Sequence, residues 1–417
     1  MRILVRKKFM AAIMALTFAL GLTACGESAG NGRDVSTEDE AASLVSTQTQ
    51  VAGEVSNTVD QTPLRMMFEN PRGAATDEGF YSIEFLDEGQ FLTYIDFASR
   101  TKIPLCASPN CTHSDETCGA FLEYGGYLCA WKDKLYAMSA GRPELEIDSQ
   151  LIRMDLDGTN REVVLTMEPS ATWDIWDHFI SDEAMYINWH IIHSDGDYNI
   201  TTESHTAILH PDDDYATEIT PMIVAGDFAF DIIGNKVWIQ RDPSLDATSR
   251  DNAKMVLVDS AGNAEPWENP LPGILETKNV QGGFGFYDDP DTGHFMQIDL
   301  ESGETTDFGE VPEGCENWRV HKVKDGNVIL GGHAYGHYPD ELMHHYFLAT
   351  PDGIHPSQFS YYRDETRRSS IIEADVGDDS YLIKTKCLDE FSEYQIISQK
   401  DYWADKDSGT PVQLMWR

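Results

Sequence analysis

One short unit recurs through this chain and leaves few folds open to it. An apolar-aromatic run with alternating character leads to an acidic or polar residue, a tight turn and a return strand. The clearest copy is LIRMDLDGTNREVVL (151–165), echoed at 91–105, 254–267 and 294–308, and more loosely at 206–220, 345–359 and 393–414. Period-two alternation broken by Asp/Gly turns marks antiparallel hairpins. With Ser99, Gly158, Asp214, Gly262, Gly303, Gly353 and Gly409 as turn markers, successive hairpins lie 41 to 59 residues apart.

Two further apolar runs precede each hairpin, so each unit reads as four strands. The first unit has LRMMFE (64–69) and GFYSIEF (79–85), the third TWDIWDHFI and AMYINWHII, and the seventh SIIEAD and SYLIKTK. The fifth is weakest, because ILETKNVQGG makes a poor strand. Radially repeated four-stranded sheets have blades of ~40–50 residues. The 355 residues from Pro63 to Arg417 divide into seven units of about 51. The expectation is an all-β, seven-bladed β-propeller. Six or eight blades stay open, since neither end of the chain reads as a strand exchanged to close the ring. Two stacked sandwiches fit the even spacing less well.

The N-terminus carries an address. Arg2, Arg6, Lys7 and Lys8 precede the apolar run FMAAIMALTFALGL (9–22), which is short for a membrane span and ends in small residues. Residues 1–24 therefore read as a secretory signal. Residues 26–62 hold no aromatic residue and are rich in Ser, Thr, Gly, Ala and acidic groups, too little to offset the entropy of ordering. Such a segment is a tether spanning roughly 30–35 Å. The expected organisation is signal at 1–24, Cys25 and tether at 25–62, and propeller at 63–417.

Charge narrows the partners. The chain carries 30 Lys and Arg against 71 Asp and Glu, a formal charge of −41, and loss of residues 1–24 makes it −45. So acidic a surface repels nucleic acid. A cationic partner, a neutral sugar or a metal ion is compatible with it.

Loop lengths favour one face. The turns joining the first two strands of a unit read as short, at 125–126, 181–184, 234–235, 325–326 and 377–380. Long segments fall between the second and third strands, at 139–149, 193–205, 241–253 and 333–345. Loops on a rigid scaffold are where binding groups gather. The candidate ligand face carries His193, Asp195, Asp197, Tyr198 and His205 in the third unit, with His333, Tyr335, His337, Tyr338 and His344 in the sixth. Asp155, Asp157, Gly158 and Asn160 imitate the start of a calcium loop but lack the later glutamate, so they read as a turn. There is no GxSxG, HExxH, P-loop or strand–helix GxGxxG, and no catalytic constellation is legible.

The segment LCASPNCTHSDETCGA (105–120) stands apart. Cys106, Cys111, His113 and Cys118 have the spacing C-x4-C-x-H-x4-C. Three thiolates and an imidazole complete a tetrahedral zinc shell. Outside the cytoplasm, disulfides are the rival: six cysteines remain after Cys25, and Cys315 and Cys387 fall on the same face of neighbouring units. Cys129 sits in an inner strand as a small apolar group. Asp115 and Glu116 disfavour thiolates and favour a cation. Zinc or disulfide, the loop's role reads as structural.

Two resemblances add to this. Leu22-Thr23-Ala24-Cys25 resembles the lipobox of bacterial lipoproteins, which implies cleavage before Cys25 and lipidation of its sulfur. Acyl chains contribute roughly 0.8 kcal/mol per buried CH2, so several hold a protein at a membrane. The motif PLCASPNCTHSDETCGA, followed by propeller repeats, resembles bacterial surface lipoproteins with a TolB-like or YWTD-like propeller body, a group that brings no activity with it. The chain lacks a clear YWTD tetrad. The expectation is a monomeric binding or assembly module, lipid-anchored through Cys25 at the cell membrane and facing outside the cytoplasm. Its partner is a protein or glycan, and zinc in the Cys/His loop is the one cofactor considered. The alternative is a cell-surface hydrolase or lyase acting on glycans.

Overall fold

The computed structural model describes residues 63–68, 73–86, 89–123, 125–194, 200–241, 254–313, 318–333, 344–357, 368–387 and 391–416. These residues form seven antiparallel sheets in chain order, a seven-bladed β-propeller. Each sheet is built on four successive strands. The second blade, for example, runs Gly125–Trp131, Lys134–Ser139, Ser149–Asp155 and Glu162–Met167.

The sequence pattern follows from how blades stack. A blade is covered on both faces, so its second strand is apolar almost throughout, as in Lys134–Ser139, where all but the first residue are buried. Outer strands have one edge in water and read as mixed, as in Glu162–Met167. The apolar core is accordingly divided among the seams. One cluster joins Trp131, Tyr136 and Leu151 of the second blade to Ile187, Trp189 and Leu209 of the third. Another joins Tyr186 and Phe179 of the third to Val237 and Ile239 of the fourth.

The recurring Asp and Gly make the outer hairpin turns. Asp155 and Asp299 end a third strand and Asp259 follows one, and each backbone oxygen accepts from a glycine N–H, Gly158, Gly262 and Gly303, at 2.8–2.9 Å. Those glycines have φ of 82°, 82° and 77°, a region that penalises side chains. The Asp carboxylates turn back to collect N–H groups, as Asp299 does from Glu301 and Ser302. The calcium-like run is such a turn, with Asp157 taken by Thr159 and Asp155 by Lys134 and Asn160. These aspartates therefore shape turns.

Four expectations need correction. LRMMFE is not the inner strand of the first blade. That strand is Gly73–Ala75, whose Gly73 leaves room for the Phe80 ring where a Cβ would come within 2.1 Å of it. Arg65–Met66 instead pairs with Ile180 and Phe179 at the inner edge of the third blade, because Leu64, Met67 and Phe68 are buried in the seams there. Gly125 and Gly126 lie within a strand, and the turn falls at Lys132 and Asp133, both with positive φ. Residues 193–205 are mostly not a loop, since Met185–Ser194 and Ile200–Leu209 pair over ten residues.

The fourth correction concerns ring closure. Gln413–Leu414 pairs in parallel with Thr101–Lys102, so the C-terminus latches onto the outer strand of the first blade. Behind this latch, Phe80, Ile95 and Phe97 pack against Ala374, Leu382 and Tyr394 of the seventh blade. The seam also holds a buried ion pair, Lys102 with Glu84. Lys102 donates onward to the Ser392 carbonyl at 3.2 Å, and Glu84 accepts from the Ser392 N–H at 3.1 Å.

Candidate functional site

The Cys/His segment is an excursion from one strand edge. The outer strand Thr101–Pro104 of the first blade ends where the Leu105 N–H donates to the Leu92 carbonyl at 2.9 Å. Leu92 donates in turn to the Ala120 carbonyl at 2.8 Å, and Phe121–Leu122 resumes pairing with Phe91 and Gln90. Both ends of the loop thus close on one residue, the geometry of an Ω-loop. Inside it, the Cys111 N–H donates to Ser108 and the Cys118 N–H to Asp115. Asp115 also takes the backbone and hydroxyl of Thr117, which hold its carboxyl below the usual range. It acts as a turn former.

These turns bring four donors together. The ligand atoms of Cys106, Cys111, His113 and Cys118 all lie within 4.8 Å of one another, a set that could hold a metal ion. His113 has φ of 52°, an uncommon left-handed backbone for a residue with a side chain. Its Nδ1 lies 3.3 Å from the Cys118 sulfur, and its N–H donates to Cys111 at 3.4 Å. The three sulfurs are unbridged. Burial holds the imidazole below its ordinary pKa, in the neutral form a ligand needs. Burial pushes the Cys118 thiol up to about 12. Burial also opposes ionisation of Cys106, but N–H groups of Ser108 and Gly119, with the neighbouring thiols, bring it below the usual range.

Two residues that sequence reasoning missed complete the surroundings. Arg161, from an outer turn of the second blade, donates to the carbonyls of Gly119 (2.5 Å) and Phe121 (2.6 Å). Trp416 packs edge-on against His113 at 5.9 Å and against Phe91 at 5.9 Å, and meets Phe391 at 4.6 Å. Neither carries a local signal, because they lie about 40 and 300 residues from the loop.

The candidate ligand face is only partly described. His193 lies 3.5 Å from Glu203, while His205 lies 3.6 Å from Glu203 and 2.8 Å from Glu218 and stacks on Trp189 at 5.1 Å. These imidazoles belong to a strand stripe rather than a loop. His333 and His344 oppose each other on the last rung of the sixth-blade hairpin. Cys25, Asp195, Asp197, Tyr198, Cys315, Tyr335, His337 and Tyr338 lie outside the described residues, as do the side chains of His333, His344 and Cys387. Among the described residues, no helix is long and apolar enough to cross a membrane.

No family profile matches the sequence, and no curated protein does either. Solved structures resemble the fold. The propeller domain of the Trilobed protease from Pyrococcus furiosus is 10% identical, with a TM-score of 0.44 over 82% of this chain and 96% of that one. Oligogalacturonate lyase from Vibrio parahaemolyticus is 9% identical, with 0.46 over 82% and 92%. TolB from Acinetobacter baumannii is 11% identical, with 0.30 over 73% of this chain and 65% of that one.

Proposed function

We propose that this protein is a lipid-anchored, extracytoplasmic binding module whose anchor is Cys25. The observation that carries the reading is the third-blade hairpin. It pairs over ten residues, against eight in the first blade and five in the fourth. Its outer rungs expose Ile192, His193 and Ile200. Exposed apolar groups on a long paired hairpin serve recognition better than they serve the fold. The chain's −41 charge turns away nucleic acid and favours neutral or cationic partners.

The Cys/His loop brings a structural zinc to this reading. Three thiolates and one neutral imidazole suit zinc, and a closed four-ligand shell is structural rather than catalytic. Such a shell has a net charge of −1, and the Arg161 guanidinium on the Gly119 and Phe121 carbonyls offsets it. The ion would cross-link the turns at Cys111 and Cys118 to the loop's start at Cys106.

Two measurements test the proposal. Cells labelled with an alkyne-tagged fatty acid should incorporate it into wild type and not into Cys25→Ser, which should leave the membrane fraction. Cross-linking on intact cells should recover a partner or glycan with wild type, and not after Ile192→Asp/Ile200→Asp. Unlabelled wild-type protein, or identical recovery with both proteins, sinks the reading.

A further inference from the structure

The long hairpin has two faces, and the second meets the fourth blade along a seam. On one face Trp189, Ile191 and Ala207 pack towards the second blade. On the other, Tyr186 and Ile208 pack with Val237 and Ile239 of the fourth blade. Strand alternation puts His190, Ile192 and Ser204 on this second face, farther along the seam. His190 and Ser204 are directly opposed, with Nδ1 2.9 Å from the hydroxyl. The His190 Nε2 lies 3.9 Å from Oδ2 of Asp177, the last residue of a short turn, Ile175–Asp177, set beside both Met185–Ser194 and Phe228–Ile233. On the fourth blade, the alternation that points Val237 and Ile239 at the seam brings Arg241 there too, clasped by Asp227 at 3.1 Å.

The blades thus pack tightly low in the seam and present polar groups higher up: a carboxyl, an imidazole and a hydroxyl on one side, an already neutralised guanidinium on the other. The lip is apolar, with Ile192, Ile200 and Trp176 all exposed. Sites of this kind, apolar with a few convergent polar groups and perturbed acids, bind small ligands. Asp177 closes the Ile175–Asp177 turn, its Oδ2 accepting from the Asp174 N–H at 3.0 Å, and the same oxygen faces the half-buried His190 ring. Burial pushes Asp177 up to about 7, so near neutral pH its carboxyl is partly protonated, and burial lowers the pKa of His190.

We propose that the rim of this seam between the third and fourth blades binds a neutral saccharide, with Asp177, His190 and Ser204 pairing to ring hydroxyls and the exposed apolar groups, Trp176 above all, meeting a sugar's C–H face. The argument for class is charge. The three polar groups carry little net charge, Arg241 is spent on Asp227, and the chain as a whole is strongly anionic, so uronates and phosphates are disfavoured. The site is separate from the Cys/His loop and from the His193–Glu203–His205 stripe on the opposite face. This inference rests on the binding-module reading and names its ligand.

The test is an array of neutral and uronate-containing oligosaccharides probed with mature protein, followed by calorimetric titration of the strongest neutral hit. His190→Ala and Ser204→Ala should each weaken binding about tenfold or more, while His294→Ala on the fifth blade changes nothing. Asp177→Asn, which keeps hydrogen-bonding capacity, should retain binding and lose the decline expected of wild type as pH rises past 7. Melting curves establish that the variants fold. Preference for uronates, or undiminished binding by folded His190→Ala and Ser204→Ala, overturns the proposal. A blank array with a protein partner recovered on intact cells overturns the saccharide alone. A blank array with no partner overturns the module as well.

Discussion

The ring of His113 meets the ring of Trp416 edge-on at 5.9 Å, joining the Cys/His loop to the segment that closes the propeller. Trp416 follows the two-residue strand on the outer edge of the first blade, where the Met415 N–H donates to the Lys102 carbonyl at 2.8 Å. Trp416 thus packs in one cluster with Cys106, Cys111 and Cys118 of the loop and Phe91 of the first blade.

Chelation should therefore be felt at the C-terminus. Hydrogen exchange at residues 412–416 and 101–104 should speed up on metal removal, while the fourth and fifth blades keep their protection. Trp416→Ala should reproduce the effect with the metal still bound, at a cost of about 1–3 kcal/mol for losing a half-buried indole. Unchanged exchange after metal loss would show that the loop and latch are independent.

The cysteines should divide by place. Cys118→Ser should abolish metal binding, measured as metal per chain by mass spectrometry. Cys129→Ser, in the inner strand of the second blade and outside the cluster, should bind as wild type does. Loss of two hydrogens per cysteine pair in purified mature protein would instead mean a bridged loop.

The buried pair at the seam has a sharp signature. Lys102→Met alone leaves Glu84 charged and buried, and should cost about 3–5 kcal/mol in urea unfolding. Adding Glu84→Leu should recover most of that, because the two charges then leave the interior together. A single variant as stable as wild type would show that water reaches the seam.

His178 predicts a pH dependence. The ring is fully buried between Phe68 and Trp173, both nitrogens lack a hydrogen-bond partner, and burial pushes its pKa down to about 3. Above the unfolded value near 6.5 the group contributes no pH dependence. As pH falls from there towards 3, the unfolded chain takes up a proton that the folded one refuses, so stability drops by about 2 kcal/mol at pH 5. Asp177, pushed up to about 7, acts in the opposite sense and loses stability as pH rises from about 4 to 7. His178→Phe should therefore gain more stability at pH 5 than at pH 8 by thermal melts. An equal gain at both would refute the assignment.

Local chemistry was enough to show what repeats. The Asp155–Gly158, Asp259–Gly262 and Asp299–Gly303 turns and the alternating runs beside them are fixed by neighbours a few residues apart. That makes hairpins, blade number and the spacing of the Cys/His ligands legible in the sequence. Contacts across hundreds of residues were not. Gly73–Ala75 carries no apolar signal, yet it is the inner strand of the first blade, because burial of Leu64, Met67 and Phe68 draws the preceding segment to the third. Trp416 against His113, Arg161 on the Gly119 carbonyl and His190 beside Asp177 are likewise products of ring closure and blade stacking. Packing between distant surfaces depends on shape and through-space distance, and only the assembled ring supplies those.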